Sequence, residues 1–583
     1  MRAGSQGVPS ETTFTSNQQQ STLFIIQTTT MSHLDPTTLK QVSYYARGLH
    51  APLPTLEIII YIITMTTAVI FICMAVLLAS LENYEKLNPR DFYPGWSLLN
   101  TKKDISENEW NLWNKWFEKI TPFLLGHILI GKLVEFKCFS MRKYFFAFYS
   151  LLCLTYLLGW KPLALLVLQC GFCYLASMTG SKVLIWIISI SFLSMLNFDI
   201  SVVFLQTTLF PWTPELDLHY YFLMIIMSLC NIRYTSFCLE YCDYVKWKKK
   251  HVHEDGENRR NGFDFCDLLC YTIYLPLCFS GPLINYDEFH QQISKPQQIW
   301  SKQRLKNHVT DFLRIGGWAL CFHIILHYFY YNSLSYNLAI VESLSQWTLV
   351  GIGYCQGQFF MVKYLIIWGI ASSIAKLDQF EPPKGPKCIS YVYLYSEMWR
   401  HFDRGLYSFM KRYIYVPAGG SHNGIIKQLL ASAVSFCYVF YWHGMREHLF
   451  IWTLLNFIVV GLESLSRKIL YVPFLANIWV NDFSPCIVRR LHAILALPTL
   501  LASCVAIFYF MNGTTVGDIF LNRLILKAEI YTIVFMMVCL YASIQVGMEA
   551  RRYEFFREKV NPKITLYESH SKELPSVKEK LSD

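Results

Sequence analysis

Charge is scarce in this chain, and that scarcity is the first constraint. Only 16% of its 583 residues are Asp, Glu, Lys or Arg, against 53% hydrophobic and 16% aromatic, with positive mean hydropathy. Soluble domains carry about a quarter charged residues, so the composition indicates a polytopic membrane protein. Met1 to Pro54 is rich in Ser, Thr and Gln and lacks the basic start and short apolar core of a cleaved signal peptide. The final Lys580-Leu581-Ser582-Asp583 is not a luminal retrieval signal. No internal repeat is evident, which counts against a transporter or channel. The eighteen cysteines are mostly scattered through apolar segments, which reads as core packing and excludes a disulfide frame or zinc site as the organising principle.

Long uncharged runs are what the chain does have. Ile58 to Leu81 is a 24-residue run without a formal charge, enough to cross about 30 Å of hydrocarbon at about 1.5 Å per residue. Further candidate spans lie near 120–134, 144–160, 162–178, 183–196, 202–230, 266–284, 312–331, 346–375, 426–442, 449–463, 491–511 and 529–547. Several are short or interrupted by Pro and Gly, and such broken or re-entrant helices are tolerated only where protein or a water-lined cavity covers their backbone. The expected fold is an all-α polytopic bundle with a hollow interior, over 55–550. A polar extension, 1–54, expected to be disordered, precedes it, and a polar, charge-alternating tail, 551–583, follows.

The net charge of +10 does not point to a nucleic acid partner, because its clusters fall between the membrane runs. Lys246, Lys248, Lys249 and Lys250, then Arg259 and Arg260, Arg489 and Arg490, and Arg551 and Arg552 fit the positive-inside orientation signal. Cys238 and Cys242, beside the first cluster, are weak candidates for S-palmitoylation.

Two features stand out against this background. Met398-Trp399-Arg400-His401-Phe402-Asp403 is followed, forty positions after Asp403, by Trp442-His443-Gly444. His443 closes the uncharged run Leu429 to Trp442, and ionisable groups at such depth usually face a water-filled or substrate-filled cavity. Imidazole takes and returns a proton near neutral pH, so His443 is a candidate general base. Around Asp403 the apolar residues Met398, Phe402, Leu406 and Phe409 recur at helical steps, which predicts one continuous helix with Trp399 and Asp403 on a neighbouring face. Arg400, three residues earlier, is then within reach of Asp403. Pro382-Pro383-Lys384-Gly385-Pro386 brings the chain in as a fixed loop, and Gly419-Gly420-Ser421 turns it back. Taken singly, each feature suits a structural role. Their conjunction in one polytopic chain points to a site.

The ordered set Trp399-Arg400-His401-Phe402-Asp403, Arg412-Tyr413-Ile414-Tyr415-Val416-Pro417, Gly419-Gly420-Ser421 and Trp442-His443-Gly444 resembles the membrane-bound O-acyltransferase (MBOAT) superfamily. Within it the chain is similar to the Hedgehog acyltransferase family of protein-cysteine N-palmitoyltransferases. Pro94-Gly95-Trp96-Ser97-Leu98, Gly281-Pro282-Leu283-Ile284-Asn285-Tyr286 and Pro386-Lys387-Cys388-Ile389-Ser390 agree with it, and the resemblance covers roughly 57–550. It implies a bundle of about ten or more transmembrane helices with re-entrant segments around a central cavity. Asp403, where many relatives carry Asn, implies a protein N-terminus as the acceptor. The implied reaction moves palmitate from palmitoyl-CoA to the N-terminal cysteine amine of a secreted Hedgehog-type protein, at the endoplasmic reticulum or Golgi membrane. The implied catalytic residues are His443 and Asp403, with Trp399 and Arg400 at the palmitoyl-CoA site and Cys388 as the ligand of a haem b iron. Whether Asp403 orients the thioester or relays the proton stays open, and direct contact between Asp403 and His443 is not implied. Lys387 is a further candidate for the CoA phosphates. The alternatives are an O-acyltransferase of a small lipid and a silent scaffold that binds acyl chains or haem.

Overall fold

The computed structural model describes residues 51–210, 216–250, 262–295, 301–421, 424–470 and 482–560, together with 472, 474, 475 and 478. Most of the extension 1–54, the basic stretch 251–261 and the tail beyond 560 lie outside the described residues. Nearly all the rest is helix. α1 spans Thr55–Glu82, α2 Asn108–Lys137, α3 Arg142–Leu158, α4 Trp160–Ser177, α5 Lys182–Ser194, α6 Asp199–Leu209 and α7 Leu216–Lys250. Then come α8 Phe265–Ile273, α9 Leu275–Cys278, α10 Tyr286–Ile293, α11 Lys302–Ile325, α12 Tyr331–Tyr336, α13 Leu338–Ser343 and α14 Gln346–Leu377. The last group is α15 Tyr395–His401, α16 Arg404–Met410, α17 Gly424–Trp442, α18 Glu447–Leu470, α19 Pro485–Leu521 and α20 Ile530–Val560. One short antiparallel pair, β1 Phe92–Tyr93 with β2 Lys103–Asp104, is the strand content among the described residues.

Among the described residues, eight helices are long and apolar enough to cross a membrane; the pair α5 and α6, bent by 74°, makes a ninth if counted as one broken span. The protein is therefore an all-α, multi-pass membrane protein, as its hydropathy predicts. The expected span 202–230 is divided between α6 and α7, with Pro211 and Pro214 between them. Proline donates no hydrogen bond and pushes the residue before it out of helical geometry. The expected span 266–284 is broken into α8 and α9 followed by extended chain. The expected run 491–511 lies inside α19, which continues to Leu521 across a break at Gly513, φ 79°. α20 continues to Val560, past the expected start of the tail at 551.

Position in the bundle follows from which faces are apolar. α1 leaves Ile59, Ile60, Ile62, Ile63 and Phe71 exposed, the pattern of a lipid-facing helix, and packs Ile72 and Val76 against α14. Gly351 of α14 permits this close approach, since a Cβ there would lie 2.4 Å from the Ile72 carbonyl oxygen. α7 is the reverse case: Phe222, Leu223, Ile226, Met227, Cys230, Tyr234 and Phe237 are all buried, with Asn231, Arg233, Thr235 and Ser236. Its buried Arg233 donates to the carbonyls of Thr272 (3.0 Å) and Leu277 (2.5 Å). The guanidinium bonds both carbonyls beside the break between α8 and α9 from inside the protein, Leu277 also accepting the Gly281 N–H at 3.1 Å. Cys238 and Cys242 are also buried, donating to the carbonyls of Cys173 (3.3 Å) and Ser177 (3.7 Å). Their reading as palmitoylation sites is overturned by that burial. Cys170 and Cys173, spaced as C-x-x-C on α4, are free buried thiols.

The far end of α14 launches the loop towards Asp403. Asp378 caps it and is gripped from two sides: His127 Nε2 lies 2.8 Å from Asp378 Oδ2, and the Tyr274 hydroxyl donates to the same oxygen.

Candidate functional site

α15 is a helix of two turns, too short to persist alone, and α18 holds it. Glu463, buried on α18, accepts the N–H groups of Tyr395 (2.6 Å) and Ser396 (3.0 Å), two of the orphan donors at the start of α15. One residue face further along α18, seven positions earlier, Asn456 Oδ1 accepts from the Trp399 indole Nε1 at 2.8 Å. Asn456 itself donates to the Trp452 carbonyl at 2.5 Å. The orientation of Trp399 is thus set by a buried amide on another helix.

The helix expected over 398–409 is interrupted at Asp403. α15 ends at His401, and Asp403, with φ −114° and ψ 92°, is the N-cap of α16, its Oδ1 accepting the Leu406 N–H at 2.9 Å. A carboxylate that competes for backbone donors favours a cap over a helix interior, which is why the apolar stripe continues while the helix does not. The break redirects Arg400. It is exposed and pairs with Glu397 at 2.9 Å, so the expected contact with Asp403 is replaced by one within α15. Gly405 lets α16 rest on the Gly281 to Tyr286 segment: a Cβ there would lie 2.1 Å from the Leu283 carbonyl oxygen.

His443 immediately follows α17. Gly444 (φ 109°) and Met445 (φ 53°) turn the chain, with the Met445 N–H returning to the Phe440 carbonyl at 3.3 Å, a helix end that glycine favours because it has no Cβ. The imidazole sits in a cage of rings, with centroids of Trp442, Trp452 and Phe510 at 4.9, 5.2 and 5.8 Å. Trp452 lies 5.8 Å from Trp399. On the other side Phe510 contacts Phe360 (5.5 Å), which stacks on Phe402 (5.2 Å), the neighbour of Asp403. One aromatic group therefore runs from His443 to Trp399 on one side and to Phe402, the chain neighbour of Asp403, on the other.

Both residues are half-buried and sit in the loops between spans. Burial pushes the Asp403 carboxyl up to about 6, against the opposing backbone N–H groups of Leu406 and Gly405. Burial pushes the His443 imidazole down to about 4, against the opposing charge of Glu109. At neutral pH the His443 imidazole is neutral and the Asp403 carboxyl ionised, the protonation states a base and an electrostatic partner need.

At the rim, Glu397 gathers cations. Burial pushes its carboxyl up, but His401 (3.0 Å), Arg551 (3.5 Å) and Arg400 outweigh that and hold it at about 2. Lys387 likewise pairs with Glu554 at 2.5 Å. Cys388 is a half-buried free thiol packed at the edge of the cluster that holds Phe359, Ile389 and Phe402. Sequence reasoning missed Glu463, Asn456 and Trp452, all in the run after His443. The signal available was the carboxylate and amide inside that run, since polar groups there need a partner.

A family model described as MBOAT, membrane-bound O-acyltransferase family, matches residues 178–505, a stretch that contains Asp403 and His443. The chain is similar to the protein-cysteine N-palmitoyltransferase HHAT of Mus musculus, 30% identical over 427 residues, with 73% of this chain and 84% of that protein covered. It is similar to the protein-cysteine N-palmitoyltransferase HHAT-like protein of the same species, at 27% over 87% of this chain and 97% of that protein. The protein-cysteine N-palmitoyltransferase Rasp of Drosophila melanogaster is 27% identical over 78% of this chain and 87% of its own length.

Proposed function

This chain belongs to the membrane-bound O-acyltransferase family, and from that membership we propose that it transfers palmitate from palmitoyl-CoA to the N-terminal cysteine amine of a secreted protein of the Hedgehog type. The observation that carries the reading is His443 itself, neutral and half-buried in a ring cage shared with Trp399 and connected to Asp403. In the proposed step the amine nitrogen attacks the thioester carbonyl, a C–N bond forms, the C–S bond breaks, and CoA leaves as the thiol. The ammonium form must first lose a proton, and the nitrogen that attacks loses a second; His443 accepts one and returns it to the departing sulfur. Asp403, ionised at neutral pH, either orients the thioester or passes that proton on. Trp399 lines the acyl slot, and Arg400 presents the part of its guanidinium not taken by Glu397 to the CoA phosphates. The proposed setting is the endoplasmic reticulum or Golgi membrane, where a cytosolic CoA ester and a secreted acceptor reach one site from opposite faces.

By the same resemblance Cys388 would hold the iron of a haem b. A half-buried thiol on an apolar cluster suits a single axial thiolate. The group would serve structurally, because thioester aminolysis requires no electron transfer. A Soret band in the purified protein that is absent in Cys388→Ala is the expected result; its absence from the wild type removes the haem from the reading.

The test of function is transfer by detergent-purified protein from labelled palmitoyl-CoA to a Hedgehog-type peptide beginning with Cys. N-acetylation of the peptide and His443→Ala are both expected to abolish labelling. Equal labelling of the acetylated peptide would make the acceptor a thiol or hydroxyl. Binding of palmitoyl-CoA without transfer would favour a lipid acceptor or a silent scaffold.

A further inference from the structure

Behind the ring cage lies an ion network that the proposed mechanism does not use. Lys363 of α14 is fully buried, with 1% of its side chain exposed, and is ringed by Phe359, Phe360 and Tyr364. Its ammonium bridges Glu107 Oε1 at 2.8 Å and Glu109 Oε2 at 2.5 Å, at the start of α2. The remaining oxygens are also taken: Glu107 Oε2 accepts the Trp110 N–H at 2.6 Å, and Glu109 Oε1 accepts the Tyr364 hydroxyl at 2.8 Å. Two carboxylates meet one ammonium, so the network carries one surplus negative charge, on half-buried carboxylates around an enclosed ammonium.

The network abuts the site. Phe360, against the Lys363 ammonium, touches Phe510, and Phe510 touches His443. Three rings face His443: Trp442 from its own element, Trp452 from α18 and Phe510 from α19, and Glu109 of α2 is the charged group whose field reaches it. The rings carry no charge. Glu109 is the carboxylate that pulls its imidazole towards the charged form, while Lys363 and Tyr364 of α14 reach the site through Glu109 and Phe360.

We propose that Glu107 and Glu109, clamped by Lys363 and Tyr364, form the counter-charge for proton transfer at His443. They are positioning residues: the surplus charge compensates the imidazolium while it exists, and Lys363 limits that charge so that the resting imidazole stays neutral. The inference rests on the reading of His443 as the base. It explains why a fully buried lysine serves two glutamates here, when one would have neutralised it.

The experiment uses the full-length, detergent-purified protein. Modification of His443 by diethyl pyrocarbonate, which attacks neutral imidazole, is followed against pH by mass spectrometry of its peptide, and needs no substrate. Lys363→Met, which leaves both carboxylates uncompensated, is expected to move the midpoint up by about one pH unit or more. Glu109→Gln, close in shape, is expected to lower kcat about tenfold or more while leaving the KM for palmitoyl-CoA unchanged. An unmoved midpoint in Lys363→Met overturns the proposal, as does an unchanged kcat in Glu109→Gln or a kcat loss accompanied by a rise in that KM. Should Lys363→Met not fold, Glu109→Gln decides by the same two outcomes. A wild type that acylates no amine would sink the acceptor reading, while the midpoint comparison would still judge the network.

Discussion

Asp403 and His443 do different physical work, and substitutions separate the two kinds. Asp403 caps α16 as well as sitting in the site. Asn caps nearly as well as Asp, whereas Ala costs about 1 kcal/mol at such positions. Asp403→Asn is therefore expected to keep the melting temperature of the purified protein while lowering transfer, and Asp403→Ala to lower both; a differential scan beside the transfer assay distinguishes them. For His443 the pH profile is informative. Burial holds its imidazole neutral above about pH 4, so it should not contribute a limb near neutrality. The acceptor amine, with an ordinary pKa near about 8, is the group that loses its proton there. Transfer is expected to rise about tenfold per unit between about pH 6 and pH 8, to rise more steeply below about 6, where Asp403 must also lose its proton, and to flatten near pH 8. An inflection near pH 6.5 in the wild type that persists in Asp403→Asn would contradict this.

At the scale of elements, the apolar runs were legible and their breaks were not. The first span, the polytopic class and the loops at Pro382 and Gly419 follow from hydropathy and turn chemistry. The break at Asp403 was hidden because Met398, Phe402, Leu406 and Phe409 keep helical spacing across it. Periodicity reports which side chains face the core, and a capped turn can preserve that face while reorienting the axis. The hold of α18 on α15 was also hidden, since Glu463 lies 67 and 68 residues from the N–H groups it accepts. Its removal is correspondingly specific. Glu463→Ala leaves two N–H groups without their partner, at about 1–3 kcal/mol each where water cannot replace it. The expected outcome is a lower melting temperature and, through the loosened Trp399, a raised KM for palmitoyl-CoA. Asn456→Ala should raise that KM with a smaller loss of stability.

Across the whole molecule the same logic explains how broken helices survive in the bundle. The stretch 266–284 reads in the sequence as one apolar run, and the donor that its carbonyls take beside the break is on α7, beyond any local pattern. Arg233 supplies that donor twice, at Thr272 and Leu277. The segment then runs through Leu283, whose carbonyl bears on Gly405 beside Asp403, so the support of α8 and α9 extends to the site. Arg233→Leu would keep the apolar volume and remove both donors. Hydrogen bonds from a charged donor are worth about 1.5–3 kcal/mol each; without them Thr272 keeps only the weak Cys230 thiol donor at 3.7 Å, and Leu277 keeps the Gly281 N–H. Local opening around α9 is expected before global unfolding, because Tyr271, Tyr274, Asn285 and Tyr286 still tie its flanks to Ile284, Asp378, Ser408 and Ser236. Cys278, at the end of α9 and fully buried, is the reporter. A maleimide that leaves it unlabelled in the wild type should label it in Arg233→Leu, with transfer reduced in parallel. Labelling at the wild-type rate, or full activity alongside rapid labelling, would mean that the re-entrant segment is held by packing alone and that the site does not depend on it.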